Sequence, residues 1–311
     1  MQELFSYNAI RNLSNIDDFD VHFNYNSLIT GYFVSKKMNF NIYDIADDLP
    51  EMIRTSPQIP FFLKTLGAIL GSKMLQSNVS SSKKITYITD SLKEDYNLPT
   101  LKAEHIPNGV DTELFRNYLS ESLKSSLDMD DSFIVGYVGV LREWVDMQPV
   151  FKAMEQLRSQ LNIKLLIVGE EGYFEENKKL VEEYGLSDNV IFTGTIPYVE
   201  VPKYVSCMDA CLIPFKNDAV SKNSLPLKLF EYMACEKPVI STKLPGVLDA
   251  VGDGVLYASD SGEFAKNILH LYNNKELREK LGFEGRKFVE TNYDWSVICD
   301  KLEKVLEESL S

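Results

Sequence analysis

The stretch "IKLLIVGEEGYFEENKKLVEEYGLSDNVIFTG", Ile163 to Gly194, decides the fold. "IKLLIVG" is a short continuous apolar run that reads as a buried strand, "NKKLVEEYG" is a helix, and "NVIFTG" is a second strand. The same alternation extends outward in both directions. Upstream stand the strand "SFIVGYVGV" (Ser132 to Val140) and the helix "MQPVFKAMEQLRSQL". Downstream come the helix "VEVPKYVSCM", the strand "ACLIPF", the helix of "LPLKLFEYMACEK", and the strands "PVIS" and "GVLYA". Short apolar runs separated by helices give a parallel sheet covered on both faces, and the right-handed crossover rule makes it doubly wound. Such sheets bind ligands at the carboxyl ends of their strands. The loops after Gly139, Gly169, Gly194 and Phe215 therefore form one ligand edge.

The first hundred residues carry three strand candidates, "DFDVHFNYN", "NFNIYDIADD" and "KITYITDSL", with helical segments between them. They imply a second, smaller α/β domain. Turn chemistry in Pro107, Asn108 and Gly109 marks the junction. We expect a first domain over 1–115, a second over 116–291, and a terminal helix over 292–311 that crosses back to the first.

Composition narrows the function. A formal net charge of −14 makes nucleic acid a poor partner. Cys207, Cys211, Cys235 and Cys299 lack metal-ligand spacing and, with three scattered histidines, point to no metal centre. The opening "MQELFSYNAIRNLSN" lacks a leader pattern and no run is long enough to span a bilayer, so a cytoplasmic setting is expected. Charge is unevenly spread, however. Met52 to Thr89 contains no acid, while Arg54, Lys64, Lys73, Lys83 and Lys84 are basic. Within it, "IPFFLKTLGAILGSKML" is an apolar helix edged by lysines, which fits either a half-buried helix or one lying on an anionic membrane surface. Lys64, Lys73, Lys83 and Lys84 are the membrane-facing candidates.

Several motifs are set aside. "DMD" at Asp128 to Asp130 precedes a strand, whereas a metal-binding D-x-D would follow one. No G-x-G-x-x-G, Walker loop or G-x-S-x-G occurs. What remains is the helix expected to begin near Ser224 after the loop "KNDAVSKN", with Pro226 near its first position. Its first amides form an anion site. Lys228 in the first turn opposes the helix dipole unless an anion sits beside it. Glu231, one turn on, is placed to accept two hydroxyl hydrogen bonds from a ribose.

The pieces "IPNGVDTELF", "GYVGVLREWVD", "LLIVGEE", "VIFTGTIPYVEVPKYVSCMDACLIPF", "SLPLKLFEYMACEKPVIS" and "FVETNYDWSVICDKLEKVL" occur in the order of a known family. The sequence resembles retaining glycosyltransferases of the GT-B fold, with "YDIADD" and "PLKLFEYMA" closest to members that build surface polysaccharides, teichuronic acid-type enzymes included. The resemblance implies two Rossmann-like domains and metal-independent transfer, with retention, from a UDP- or GDP-linked sugar to a lipid-linked or polysaccharide acceptor. It needs no cofactor. Glu231 matches the second Glu of the family's E-x7-E element and Asn223 stands at the first. Arg142 and Lys228 are implied to neutralise the leaving diphosphate. Gly139, Trp144, Gly169, Thr195, Ile196, Asn223, Ser224, Leu225 and Glu231 are implied to line the donor site, with "GTIPY" against the nucleobase. Asp47, beside Asp44 and Asp48, matches the acid of a His-Asp pair and is implied to lie near the acceptor. The first domain is shorter than the family's and is expected to be incomplete. The alternative is therefore a nucleotide-sugar-binding subunit or pseudoenzyme, completed by a partner chain that supplies the missing strands.

Overall fold

In the computed structural model, residue 10, residues 18–37 and residues 39–310 are described. Most of the opening stretch read for a leader lies outside them. The chain forms two compact units: Met1–Asn108 with Lys222–Leu225 and Ser296–Ser311, and Gly109–Ser221 with Pro226–Trp295.

The first unit is built on a parallel sheet of β1 (Phe23–Tyr25), β2 (Phe40–Ile45), β3 (Ser82–Tyr87) and β4 (Ala103–His105), in the order β1-β2-β3-β4. Three of these strands were legible as apolar runs, but β4 was not. It is three residues long at a sheet edge and carries Glu104 and His105, so it has no apolar pattern to read. Every residue of β2 is buried, as expected for a strand covered on both faces. Helix Leu49–Thr55 is capped by Asp48, whose Oδ1 accepts from the Glu51 amide at 3.0 Å. Helix Phe61–Ser80 buries Ala68, Gly71, Leu75, Asn78 and Val79. The C-terminal helix Trp295–Leu310 is tied to this sheet: Asn41 and Lys83 donate to the Ser309 carbonyl at 3.2 and 2.8 Å, and Lys84 pairs with Glu308 at 2.6 Å.

The second unit holds six parallel strands: β5 (Phe133–Val138), β6 (Ile163–Val168), β7 (Val190–Phe192), β8 (Ala210–Ile213), β9 (Val239–Ser241) and β10 (Leu256–Tyr257). Their order is β10-β9-β8-β5-β6-β7. Counted within the unit this is the 3-2-1-4-5-6 order of dinucleotide-binding sheets, whose direction reverses between β5 and β8. The expected strands and helices are all present.

The junction falls earlier than residue 115. The Val110 amide donates to the Tyr293 carbonyl at 2.8 Å, and the Arg286 guanidinium donates to the carbonyls of Thr112 and Phe115, so residues 110–115 pack in the second unit. A second difference lies in "KNDAVSKN", read as a loop. Ala219–Lys222 is a one-turn helix, residues 223–226 are non-helical, and the helix after them starts at Leu227 rather than near Ser224. Pro226 is its N-cap, with φ −70° and ψ 127°.

Candidate functional site

Three glycines follow the strands on one side of the reversal point. Gly139 (φ 120°) follows β5, Gly169 (φ 124°) follows β6 and Gly194 (φ 70°) follows β7. The Gly169 amide donates to the Gly194 carbonyl at 3.1 Å, and a Cβ on Gly169 would stand 2.8 Å from the Gly139 oxygen. Only residues without a side chain fit turns this close.

Against Gly139 lies the ammonium of Lys228. A Cβ on Gly139 would be 2.9 Å from Nζ. Nζ donates to Tyr137 Oη at 2.8 Å and sits 4.0 Å from that ring's centroid and 5.6 Å from that of Phe215. Tyr137 Oη in turn donates to the Val140 carbonyl at 3.0 Å. Among the described residues no carboxylate lies within ion-pair distance of Lys228. Burial lowers its pKa from 10.5 to about 7, with the nearby charge of Glu231 acting the other way. The aromatic faces partly offset the lost hydration of the cation but do not neutralise it.

Lys228 lies on helix Leu227–Ala234, which no side chain caps. The same helix turns Leu229, Phe230, Tyr232 and Met233 into the core, and Tyr232 Oη accepts from the Val138 amide at 2.7 Å, which fixes the helix against β5. One turn beyond Lys228, Glu231 is 9% exposed and accepts from Tyr198 Oη at 2.9 Å. Burial raises the Glu231 pKa, while the Tyr198 hydrogen bond and Lys228 hold it down. Tyr198, from the "GTIPY" loop, packs its ring against Phe115 at 5.4 Å. An uncapped helix start, a cation without an anionic partner and a carboxylate one turn away have the chemistry to bind a phosphate and a hydroxyl.

Gly139, Gly169, Lys228 and Glu231 thus belong to the glycine-lined edge of the second unit. Arg142 is exposed in the turn after β5, and Trp144 is half-buried with its carbonyl accepting from the Lys216 amide at 2.7 Å. Thr195 is exposed and Ile196 half-buried in the loop after Gly194. Asn223, Ser224 and Leu225 fall in the first unit. There Asn223 Nδ2 donates to Asp48 Oδ2 at 2.7 Å and to Asp95 Oδ2 at 3.1 Å. Asp47 accepts from Asn26 Nδ2 at 2.8 Å, and its pKa is raised by burial, lowered by that bond, and raised again by Asp48. Asp44 accepts from Thr86 Oγ1 at 2.5 Å, and burial lifts it to about 6.

Two membrane candidates need correction. Lys83 and Lys84 lie on β3 and are engaged by Ser309 and Glu308, so they are not part of the outward helix that carries Lys64 and Lys73. Reasoning from sequence also missed Tyr137 and Phe215. Their one signal was an aromatic near the end of each of the two strands that flank the reversal point.

The model of the family "Glycosyl transferases group 1" matches residues 120–288, more than half of the chain. The chain belongs to this family. Among curated relatives, the capsular polysaccharide biosynthesis glycosyltransferase CapM of Staphylococcus aureus is 29% identical over 242 residues, covering 73% of this chain and 60% of CapM. The chain therefore spans less than two thirds of that relative's length. Among solved structures, sucrose-phosphate synthase from Thermosynechococcus elongatus matches with a TM-score of 0.81 at 19% identity, over 97% of this chain and 76% of that one. Anabaena HepE, solved with UDP and glucose, matches with a TM-score of 0.78 at 16% identity, over 98% of this chain and 80% of HepE. These likenesses show an α/β fold of the GT-B type for this group 1 glycosyltransferase chain.

Proposed function

We propose that this chain transfers a sugar, with retention and without a metal ion, from a nucleotide diphosphate sugar to a lipid-linked or polysaccharide acceptor. The observation that carries the reading is Lys228, a cation held against Gly139 and over Tyr137 with no anion beside it. A donor diphosphate at the uncapped start of helix Leu227–Ala234 supplies that anion. Glu231 then takes the ribose hydroxyls, and the "GTIPY" loop takes the base. HepE was solved with UDP, which supports a uridine donor here; a guanosine donor is the other case to test.

In this mechanism the bond to the sugar's anomeric carbon breaks with its electron pair going to the diphosphate. Lys228 and Arg142 stabilise the charge that develops there, aided by the helix dipole. The acceptor hydroxyl oxygen bonds to the anomeric carbon on the same face of the sugar as its proton passes to the departing phosphate oxygen. Asp47 and Asp44, at the carboxyl end of β2, are proposed to orient the acceptor. Surface-polysaccharide synthesis fits the acceptor class, as CapM's name indicates for that relative. A cytoplasmic position, with access to soluble donors, follows from the same reading.

A second reading, a nucleotide-sugar-binding subunit completed by a partner chain, is favoured by one observation. Asn223, at the position of the family's first Glu, has its amide committed to Asp48 and Asp95. Calorimetry with UDP, GDP and their sugars on wild type, Lys228→Ala and Glu231→Ala tests the site. Binding undiminished in both variants would remove it. Binding without turnover of any lipid-linked or glycan acceptor would select the second reading.

A further inference from the structure

β5 is apolar except for one hydroxyl. Tyr137 is fully buried on it, where a phenylalanine would fill the same space. Its Oη is committed to two partners, accepting from Lys228 Nζ at 2.8 Å and donating to the Val140 carbonyl at 3.0 Å. The same carbonyl accepts from the Arg142 amide at 3.0 Å. One hydroxyl thus ties the head of Lys228 to the turn that leads from Gly139 to Arg142.

Neither the helix nor the turn depends on that hydroxyl. Lys228 and Tyr232 are four apart on helix Leu227–Ala234 and so share a face. Tyr232 Oη, accepting from the Val138 amide at 2.7 Å, docks the helix on β5 by itself. The Val140 carbonyl keeps the Arg142 amide whether or not a phenol is present. What Tyr137 Oη adds is an acceptor for the Lys228 ammonium, which has no other hydrogen-bond partner among the described residues. The ring face, 4.0 Å from Nζ, attracts the cation but does not fix where its protons point. An ammonium has three N–H groups. With one on Tyr137, two are left at the uncapped start of the helix.

We propose that Tyr137 is a positioning residue for donor capture, whose hydroxyl holds the Lys228 ammonium by one N–H and leaves the other two for the donor diphosphate. The proposal rests on the donor-site reading and adds a residue that touches no substrate. A hydrogen bond to the charged form also favours that form, so the phenol opposes the burial that brings Lys228 to about 7. The titratable groups around Lys228 are Glu231 on its own helix, bound to Tyr198, and the phenols of Tyr137 and Tyr232, both raised by burial and therefore neutral. Glu231 is common to every variant below except in its pairing with Lys228, so comparison with wild type at each pH isolates the lysine.

Isothermal titration with UDP-glucose and GDP-mannose from pH 5.5 to 9 tests this on the full chain. In Tyr137→Phe the pH at which affinity begins to fall should move down by about one unit. Affinity at pH 8 should drop about tenfold, while at pH 5.5 it should match wild type within about twofold. Melting should stay near that of wild type. Tyr232→Phe removes the other hydroxyl bond between helix and strand; it should lower the melting temperature and leave the profile where it was. A Tyr137→Phe profile that superimposes on wild type, a loss equal at every pH, or the same shift in Tyr232→Phe would overturn the proposal, as would binding of neither sugar by wild type. Lys228→Ala separates the two levels. If it binds normally, the donor-site reading fails and this proposal with it; if it binds weakly while the Tyr137→Phe profile stays put, only this proposal fails.

Discussion

Lys228→Met should make the protein more stable and weaken its binding of a nucleotide sugar. A fall in the lysine pKa from 10.5 to about 7 makes the ammonium roughly 4 kcal/mol less favourable in the folded state than in the unfolded chain at pH 7. The sign follows from proton binding. Between about pH 7 and 10.5 the unfolded chain holds more protons than the folded one, so stability rises with pH across that window. Below it the full penalty is present. Methionine keeps most of the stem over Tyr137 and Phe215 while removing the charge. Part of the gain is lost with the Tyr137 hydrogen bond, which leaves a rise in melting temperature of roughly 5 °C near pH 7. The rise should shrink as pH approaches the ordinary lysine value.

Binding tests the same group from the other side. If a diphosphate restores Lys228 to its ordinary range, the complex takes up a proton above pH 7. Wild-type affinity for a nucleotide sugar should then be level below about pH 7 and fall about tenfold per pH unit above it. A nucleotide sugar is the better probe because both its phosphates are esterified and do not titrate there. Lys228→Arg keeps its charge throughout and should flatten the profile, while Lys228→Met should bind at least about tenfold more weakly. Differential scanning calorimetry and isothermal titration in buffers of differing ionisation enthalpy read both effects. A methionine variant that melts lower and binds normally would refute the argument, because Lys228 would then be an ordinary structural lysine.

Tyr198→Phe removes the hydrogen bond that lowers the Glu231 pKa. The acid limb of nucleotide binding should therefore move to higher pH, with alkaline affinity little changed, as pH-dependent titration would show. Glu236, at φ 59°, sits at the helix C-terminus where its carbonyl lies 2.2 Å from where a Cβ on Gly282 would be. Glu236→Gly should relieve about 1 kcal/mol of left-handed strain and raise the melting temperature by roughly 1.5 °C. Asn223→Glu should lower stability because it sets a third carboxylate beside Asp48 and Asp95. Adding Asp48→Asn should recover most of the loss in thermal melts.

The second unit was legible because its signals are redundant. Each strand from β5 to β9 is an apolar run, and each positive-φ turn after β5, β6 and β7 is marked by a glycine. Lys228 and Glu231 were legible for a different reason: a cation in a first helical turn and a carboxylate on a largely buried helix both contradict local rules. Their supports were hidden. Tyr137 is an unremarkable strand residue until the fold brings it 2.8 Å from Lys228, ninety-one positions away in the chain. The first unit was harder to read because β4 is short and polar. The two lysines of β3 shared the composition of the acid-free segment but not its surface, since composition does not record which side of a strand a residue faces.

Asn223, where the resemblance implies a Glu, lies in a local environment that disfavours one. A glutamate there would stand among acids, for Asp48 and Asp95 both lie within hydrogen-bonding distance of the side chain. An amide instead gives two donors to two carboxylates. Asp48 is itself bound to the Glu51 amide and to the hydroxyl of Tyr96, and Asp95 to Lys222 at 2.8 Å, so the acids are fixed by other tasks. Given those neighbours, the amide serves both carboxylates with its two N–H donors. The pairing leaves Asn223 Oδ1 buried and without a partner among the described residues, an acceptor with nothing to accept. In this cluster an amide between Asp48 and Asp95 is favoured over a third carboxylate.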